Sequence, residues 1–283
     1  MRNPKIHPTA IVEKGAGIGH NVTIEAYAIV KSSVALDDDV VIKSHAYIDG
    51  NTTIGQGTVV YPFASIGTKP QNLTYHGEQT FIKIGKYCEI RENVTINSSS
   101  GENGIVQIGD YCMVMAYCHL AHNSVLGNHV VMSNNATLAG HVTIEDYAII
   151  GGLTPIHQFV RIGTYSMVGG LSRVTHDIPP YTIGAGIPFK FGGLNLIGLK
   201  RHGFSLKTRQ ELSKAFKLLY RSKLMPEEAL KKIEQTVQLF PEVCHWIQFC
   251  RNSKRGLMGL QGVMHVSDEE PLYVEEETAY LPV

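Results

Sequence analysis

An aliphatic residue recurs at every sixth position through the first two thirds of the chain. From Ile6 the column runs Val12, Ile18, Ile24, Val30, Leu36, Ile42, Ile48, Ile54, Val60 and Ile66. It resumes with Ile84, Ile90 and Ile96, then with Ile108, Val114, Leu120 and Leu126, and ends at Val174. Of the 29 positions 26 are aliphatic, where 43% hydrophobic content predicts about 12. Asn72, Glu78 and Glu102 are the exceptions. A second column four residues later holds only small or β-branched residues, among them Ala10, Val22, Cys88, Cys112, Cys118 and Ser124. A period of six is neither the 3.6 of a helix nor plain alternation. It predicts short strands joined by tight corners, three sides to an 18-residue coil, with coils stacked as parallel strands ~4.8 Å apart.

Two stretches interrupt the columns without shifting their phase, 67–83 and 97–107. Both read as loops ejected at corners, and long loops on a rigid solenoid tend to carry function. After Val174 the prolines of THDIPPYTIGAGIP end the coils. Helical spacing follows: Leu212, Phe216, Leu219 and Tyr220, then Leu230, Ile233 and Val237 behind Pro226, then Val243, Trp246, Ile247 and Cys250 behind Pro241. The expected organisation is a parallel β-helix over 1–183, an α-helical part over 184–256, and an acidic tail over 257–283.

Charge sharpens that division. Residues 1–180 hold 11 Lys or Arg and 14 Asp or Glu, whereas 181–255 hold 14 and 5. The last 28 residues carry six acids and no Lys or Arg. The basic segment is either a solvated helical surface or a seat for an anionic ligand or partner. No apolar run approaches the ~20 residues of a membrane span, and no signal peptide is visible. Five unpaired cysteines, four of them on core positions, fit a reducing compartment, so a cytoplasmic location is expected. Nothing in the pattern calls for nucleic acid.

The candidate chemistry follows from the 18-residue coil. Residues 18 apart stack, so His122, Gly140 and Gln158 form one line, with Asn123 under His141 and Ala139 under His157. His119 lies just before His122. Four histidines thus share one edge, which suggests a metal site or acid–base work. The nearest other groups are Asn123, Gln158 and Gly140, with no acid among them, which disfavours zinc. No GxSxG elbow or Cys–His pair is present, so a covalent acyl-enzyme is disfavoured too. Deprotonation of a substrate hydroxyl by a histidine fits better, with the Gly140 N–H stabilising an oxyanion.

At these residues the chain resembles the UDP-N-acetylglucosamine 3-O-acyltransferases of lipid A biosynthesis. The strings are IHPTAIV at 6–12, HLAHNSVLGN at 119–128, NNATLAGHV at 134–142, IHQFVRIG at 156–163, GLKRHGFS at 198–205 and LLYRS at 218–222. The resemblance implies a left-handed β-helix and a homotrimer with active sites between subunits. It implies transfer of a long fatty acyl group from acyl carrier protein to the sugar 3-hydroxyl, with the carrier thioester as co-substrate and no cofactor or metal. It implies that His122 is the general base and Gly140 the oxyanion donor. Gln71, Asn72, His119, His141, His157 and Gln158 would contact sugar or acyl thioester, Asn195 and Arg201 the uridine diphosphate, and Gly170 the end of the acyl groove. The chain departs from the family at Asn72, Thr74, Asn123, Ile197 and His202. Two other readings remain: the N-acyltransferase of the same pathway, and a noncatalytic or zinc-binding trimeric β-helix.

Overall fold

The computed structural model describes residues 3–260; the expected acidic tail from residue 261 onward lies outside the described residues. Among the described residues the hexads fold as strands of mostly two residues arranged in three sheets of eleven, eight and eight strands, parallel except for the last strand of the first. Face A starts with Lys5–Ile6, face B with Ile11–Val12 and face C with Gly17–Ile18. The chain visits A, B and C in turn, and pairing Val41 with Val59 fixes the coil at eighteen residues. The aliphatic column points inward: Ile24, Ile42, Val60, Ile90, Val114 and Met132 are stacked inside face A and buried. The small column fills the space beside each corner, where larger side chains would force the faces apart.

A third column, not anticipated from hydrophobicity, sets the corners. Every non-glycine residue with positive φ except Asn103 and Tyr181 sits three positions after the aliphatic one, at φ between 53° and 67°. That backbone costs a non-glycine residue about 1–2 kcal/mol. Asn and Asp at Asn21, Asp39, Asn93, Asn123 and Asn135 tolerate it best. Aromatic residues at other corners stack on the coil above. Tyr87, Tyr111, His129, Tyr147 and Tyr165 form a ladder along the edge between faces C and A, with centroids 4.5–5.3 Å apart. Each such pair offsets roughly 0.5–1.5 kcal/mol of the corner strain.

The two interruptions leave from a single edge. Thr52 pairs with Ile82 and Ile82 with Val106, so the insertions add twelve and then six residues to a coil. Both are multiples of six, which is why the phase survives. Both lie between faces B and C. The irregular chain is shorter than the pattern suggested, 69–80 and 98–104. Strands Ser65–Thr68, Phe81–Ile84, Thr95–Asn97 and Ile105–Ile108 run on into the flanks.

The start of the C-terminal part also differs from the sequence reading. Thr182–Ala185 adds a last parallel strand to face A, and Lys190–Leu194 returns antiparallel to it. Residues 184–194 therefore complete the sheet, though they lack the hexad signal. Among the described residues four helices follow: α1 Leu196–Arg201, α2 Leu206–Arg221, α3 Pro226–Thr236 and α4 Pro241–Arg251. The short α1 has no apolar periodicity to betray it; the Asn195 side chain caps it by accepting from Gly198 N–H. Leu212, Phe216, Ile233, Val243, Trp246 and Cys250 form a second core. Residues 257–260, assigned to the tail by charge, pack instead: Leu257 pairs with Asp177, and Leu257 and Met258 are buried. Among the described residues, no helix is long and apolar enough to cross a membrane.

The cysteines test the inward column. Cys88, Cys112, Cys118 and Cys250 are buried, and Cys244 is exposed. Burial pushes the Cys118 thiol up to about 11, and contact with Cys88 followed by burial raises that of Cys112. Since burial shields the other four thiols from reagent, one thiol, Cys244, should react with an aromatic disulfide reagent in the native protein, and five after denaturation. Rapid native reaction of more than one would mean that the column does not face the core.

Candidate active site

His122 sits where face B turns into face C, one coil above the loop 98–104. It is 9% exposed and, among the described residues, the one buried histidine. Its imidazole is fixed from two sides. Nδ1 lies 2.9 Å from Asn123 Oδ1 and 3.1 Å from Ser100 Oγ. The orientation of the Asn123 amide is set independently, because its Nδ2 donates to the Ser100 carbonyl at 3.1 Å. Oδ1 therefore faces His122, and an amide oxygen only accepts. The proton of neutral His122 accordingly resides on Nδ1, leaving a lone pair on Nε2.

That lone pair faces the next coil at Gly140. A methyl group built on Gly140 would approach His122 Cε1 to 2.4 Å and Nε2 to 2.6 Å. Only glycine lets the backbone come this close to the ring. Among the described residues the Gly140 N–H donates to no group, while its carbonyl accepts from Phe159 N. A base atom and an unengaged backbone donor thus stand side by side at one corner.

The other expected residues fall into three groups. His141 lies edge-on to His122 at 5.3 Å and stacks on Phe159; partial burial and then the His122 imidazole lower its pKa. His157 and Gln158 continue the same edge one coil higher, His157 exposed and donating from Nδ1 to the Gln158 carbonyl. His119 stands on face B with Nδ1 2.7 Å from Thr95 Oγ1, and burial lowers its pKa. The loop joins this edge too: Asn72 donates from Nδ2 to Ser100 Oγ at 3.1 Å, and Gln71 beside it is exposed.

Asn195, Arg201 and Gly170 are not brought to this edge within one chain. Asn195 caps α1 and donates to the Tyr165 carbonyl at 3.0 Å. His202, next to exposed Arg201, touches Tyr147 and Tyr165 on the edge between C and A. Gly170 is exposed on the remaining edge, between A and B, above Gly152. Sequence reading missed Ser99 and Ser100. Ser99 Oγ accepts from Asn123 N, and Ser100 bonds Asn72, His122 and Asn123. The polar run Asn97-Ser98-Ser99-Ser100 is almost wholly buried in the structure, but nothing in its spacing sets it apart from other loop sequence. Among the described residues no three His, Cys, Asp or Glu side chains are grouped to hold a metal.

Comparison with known proteins decides the family. Residues 105–140 match the bacterial transferase hexapeptide model, and residues 177–258 match the second domain of UDP-N-acetylglucosamine O-acyltransferase. Proteins named acyl-[acyl-carrier-protein]–UDP-N-acetylglucosamine O-acyltransferase are similar over most of their length. The Chlamydia abortus protein is 56% identical over 89% of this chain and 91% of its own. A Chlamydia trachomatis protein is 53% identical over 96% and 97%. The chain belongs to this family. Solved UDP-N-acetylglucosamine acyltransferases share its fold: that of Bacteroides fragilis at 36% identity with a TM-score of 0.87, covering 89% of this chain and 98% of its own, and that of Campylobacter jejuni at 41% with 0.84, covering 90% and 99%. The architecture is the left-handed parallel β-helix with a C-terminal helical part.

Gly140→Ala tests the corner directly. The methyl group must push the His122 ring aside, so kcat should fall by ~10²-fold or more, with circular dichroism and melting temperature close to the parent. An active Gly140→Ala protein would show that the imidazole does not work in this position.

Proposed function

We propose that the protein transfers a long fatty acyl group from acyl carrier protein to the 3-hydroxyl of UDP-N-acetylglucosamine, in the cytoplasm, at the first step of lipid A assembly. The single observation that carries the mechanism is the His122–Gly140 corner. His122 Nε2 takes the proton of the sugar hydroxyl as its oxygen attacks the thioester carbonyl. The Gly140 N–H donates to the oxyanion that forms. Collapse expels the carrier thiolate, which recovers the proton from His122. Asn123 holds the tautomer through its amide oxygen and carries no charge. No metal or other cofactor takes part.

The division of candidate residues among three edges supports a homotrimer. Parallel prisms around a threefold axis would set the edge of His122 against another edge of a neighbour, and cyclic assemblies are the common solution for such scaffolds. Arg201 would then reach the diphosphate from the adjacent subunit, where its fork matches phosphate oxygens. The basic helical part would receive the acidic carrier protein. The N-acyltransferase reading is weaker, because the family found is that of the O-acyltransferases.

Three measurements follow. His122→Ala should lower kcat by the ~10²–10⁴-fold typical of a general base, and chelators should leave the parent enzyme unchanged. Near-normal turnover in this variant, or a requirement for bound zinc, would refute the mechanism. Gly170→Met should favour acyl donors four methylenes shorter by roughly two orders of magnitude, at ~0.8 kcal/mol per methylene. Sugar-nucleotide binding should be retained. An unchanged chain-length profile would place the end of the groove elsewhere.

A further inference from the structure

Ser100 belongs to neither coil nor known motif, yet it is the meeting point of the loop and the base. Its Oγ accepts from Asn72 Nδ2 at 3.1 Å and donates to Asn123 Oδ1 at 2.9 Å, 3.1 Å from His122 Nδ1. Its carbonyl accepts from Asn123 Nδ2 at 3.1 Å. Asn72 is in turn held by its own loop, because its Oδ1 accepts from Thr74 N–H and Thr74 Oγ at 3.0 Å. The donors and acceptors run in one sense. Asn72 has only N–H to offer Ser100, so it occupies a lone pair of the hydroxyl and leaves the hydroxyl proton for Asn123. With its oxygen towards Ser100 Oγ and His122, Asn123 receives both their protons; flipped, it would set oxygen against oxygen at the Ser100 carbonyl and offer an N–H to His122 Nδ1.

We infer that Ser100 is a positioning residue that transmits the placement of the loop 69–80 to the tautomer of His122. This rests on His122 as the base. With a neutral Asn123, the amide's orientation decides which imidazole nitrogen is free. Ser100 fixes that orientation through two groups, and Asn72 fixes the direction of the Ser100 hydroxyl. Substrate contact with the loop at Gln71 or Asn72 therefore reaches the base through a single hydroxyl.

The test uses full-length S100A, S100T, N72A, the double variant N72A/S100A, and H122A. S100A should lower kcat at least about tenfold with KM for both substrates within about twofold, the signature of an interaction made in the transition state. S100T keeps the hydroxyl and should recover to within about threefold of the parent. N72A and S100A break one shared bond, so at saturating substrate their losses in kcat should be clearly less than additive in the double variant. With 15N-labelled histidine, and His122 assigned by its absence in H122A, the parent should show a proton on Nδ1. In S100A a second population protonated on Nε2 should appear. Parent-like kcat in S100A, additive losses in the double variant, or an unchanged His122 tautomer would each overturn the assignment. An active H122A would instead remove the base reading beneath it, whereas an inactive H122A beside a normal S100A would remove the role of Ser100 alone.

Discussion

The parallel ladder between coils is the constraint from which every other feature follows. Eighteen residues separate paired positions such as Val41 and Val59, so a side chain's height and edge are fixed once its place in the hexad is fixed. His122 and Gly140 are eighteen apart, and the ladder alone brings the imidazole under the glycine backbone. The insertions at 69–80 and 98–104 respect the same rule. Each adds whole hexads, so the coils above them keep their register while the added chain emerges at the histidine edge. A one-residue slip would turn the aliphatic column outward and scatter the site.

Much of this was legible in the sequence because a β-helix is nearly one-dimensional. The inward column, the stacking of His122, Gly140 and Gln158, and the placement of Cys88, Cys112 and Cys118 all followed from counting in sixes. What escaped was what counting does not reach. The strained corners are marked by Asn, Asp, Tyr, His, Phe and Leu, which share no hydropathy and show their logic only as stacked rings and left-handed backbone. The strand Lys190–Leu194 carries two glycines and no alternation, and α1 is a single capped stretch of six residues. Ser99 and Ser100 lie in a loop, where spacing says nothing about contact. Resemblance supplied the handedness and the residues away from the histidine edge, none of which the hexad pattern contains.

The chemistry proposed for His122 is that of a neutral dyad. Asn123 lies beside the proposed base, and its amide can orient the ring without charging its surroundings. Orientation by hydrogen bonds alone demands that the acceptor itself be held, which is what Ser100 and the loop do. The departure at Asn123 and the network behind it are thus one feature. The Asn72 side chain is engaged in the same network, so the loop is tied to the base by its own hydrogen bonds rather than by charge.

Because His122, Gly170 and the segment bearing Arg201 lie on three edges of one prism, the proposed mechanism needs sites built between copies. Mixing two inactive variants tests this most directly: His122→Ala and Arg201→Ala, each assembled alone and then unfolded and reassembled together in equal amounts. If each site takes His122 from one subunit and Arg201 from its neighbour, random mixing leaves about a quarter of the sites intact, and turnover should return to about that fraction of the parent. Mixed oligomers that form but show no more activity than either variant alone would mean that each chain carries its whole site, contradicting the account.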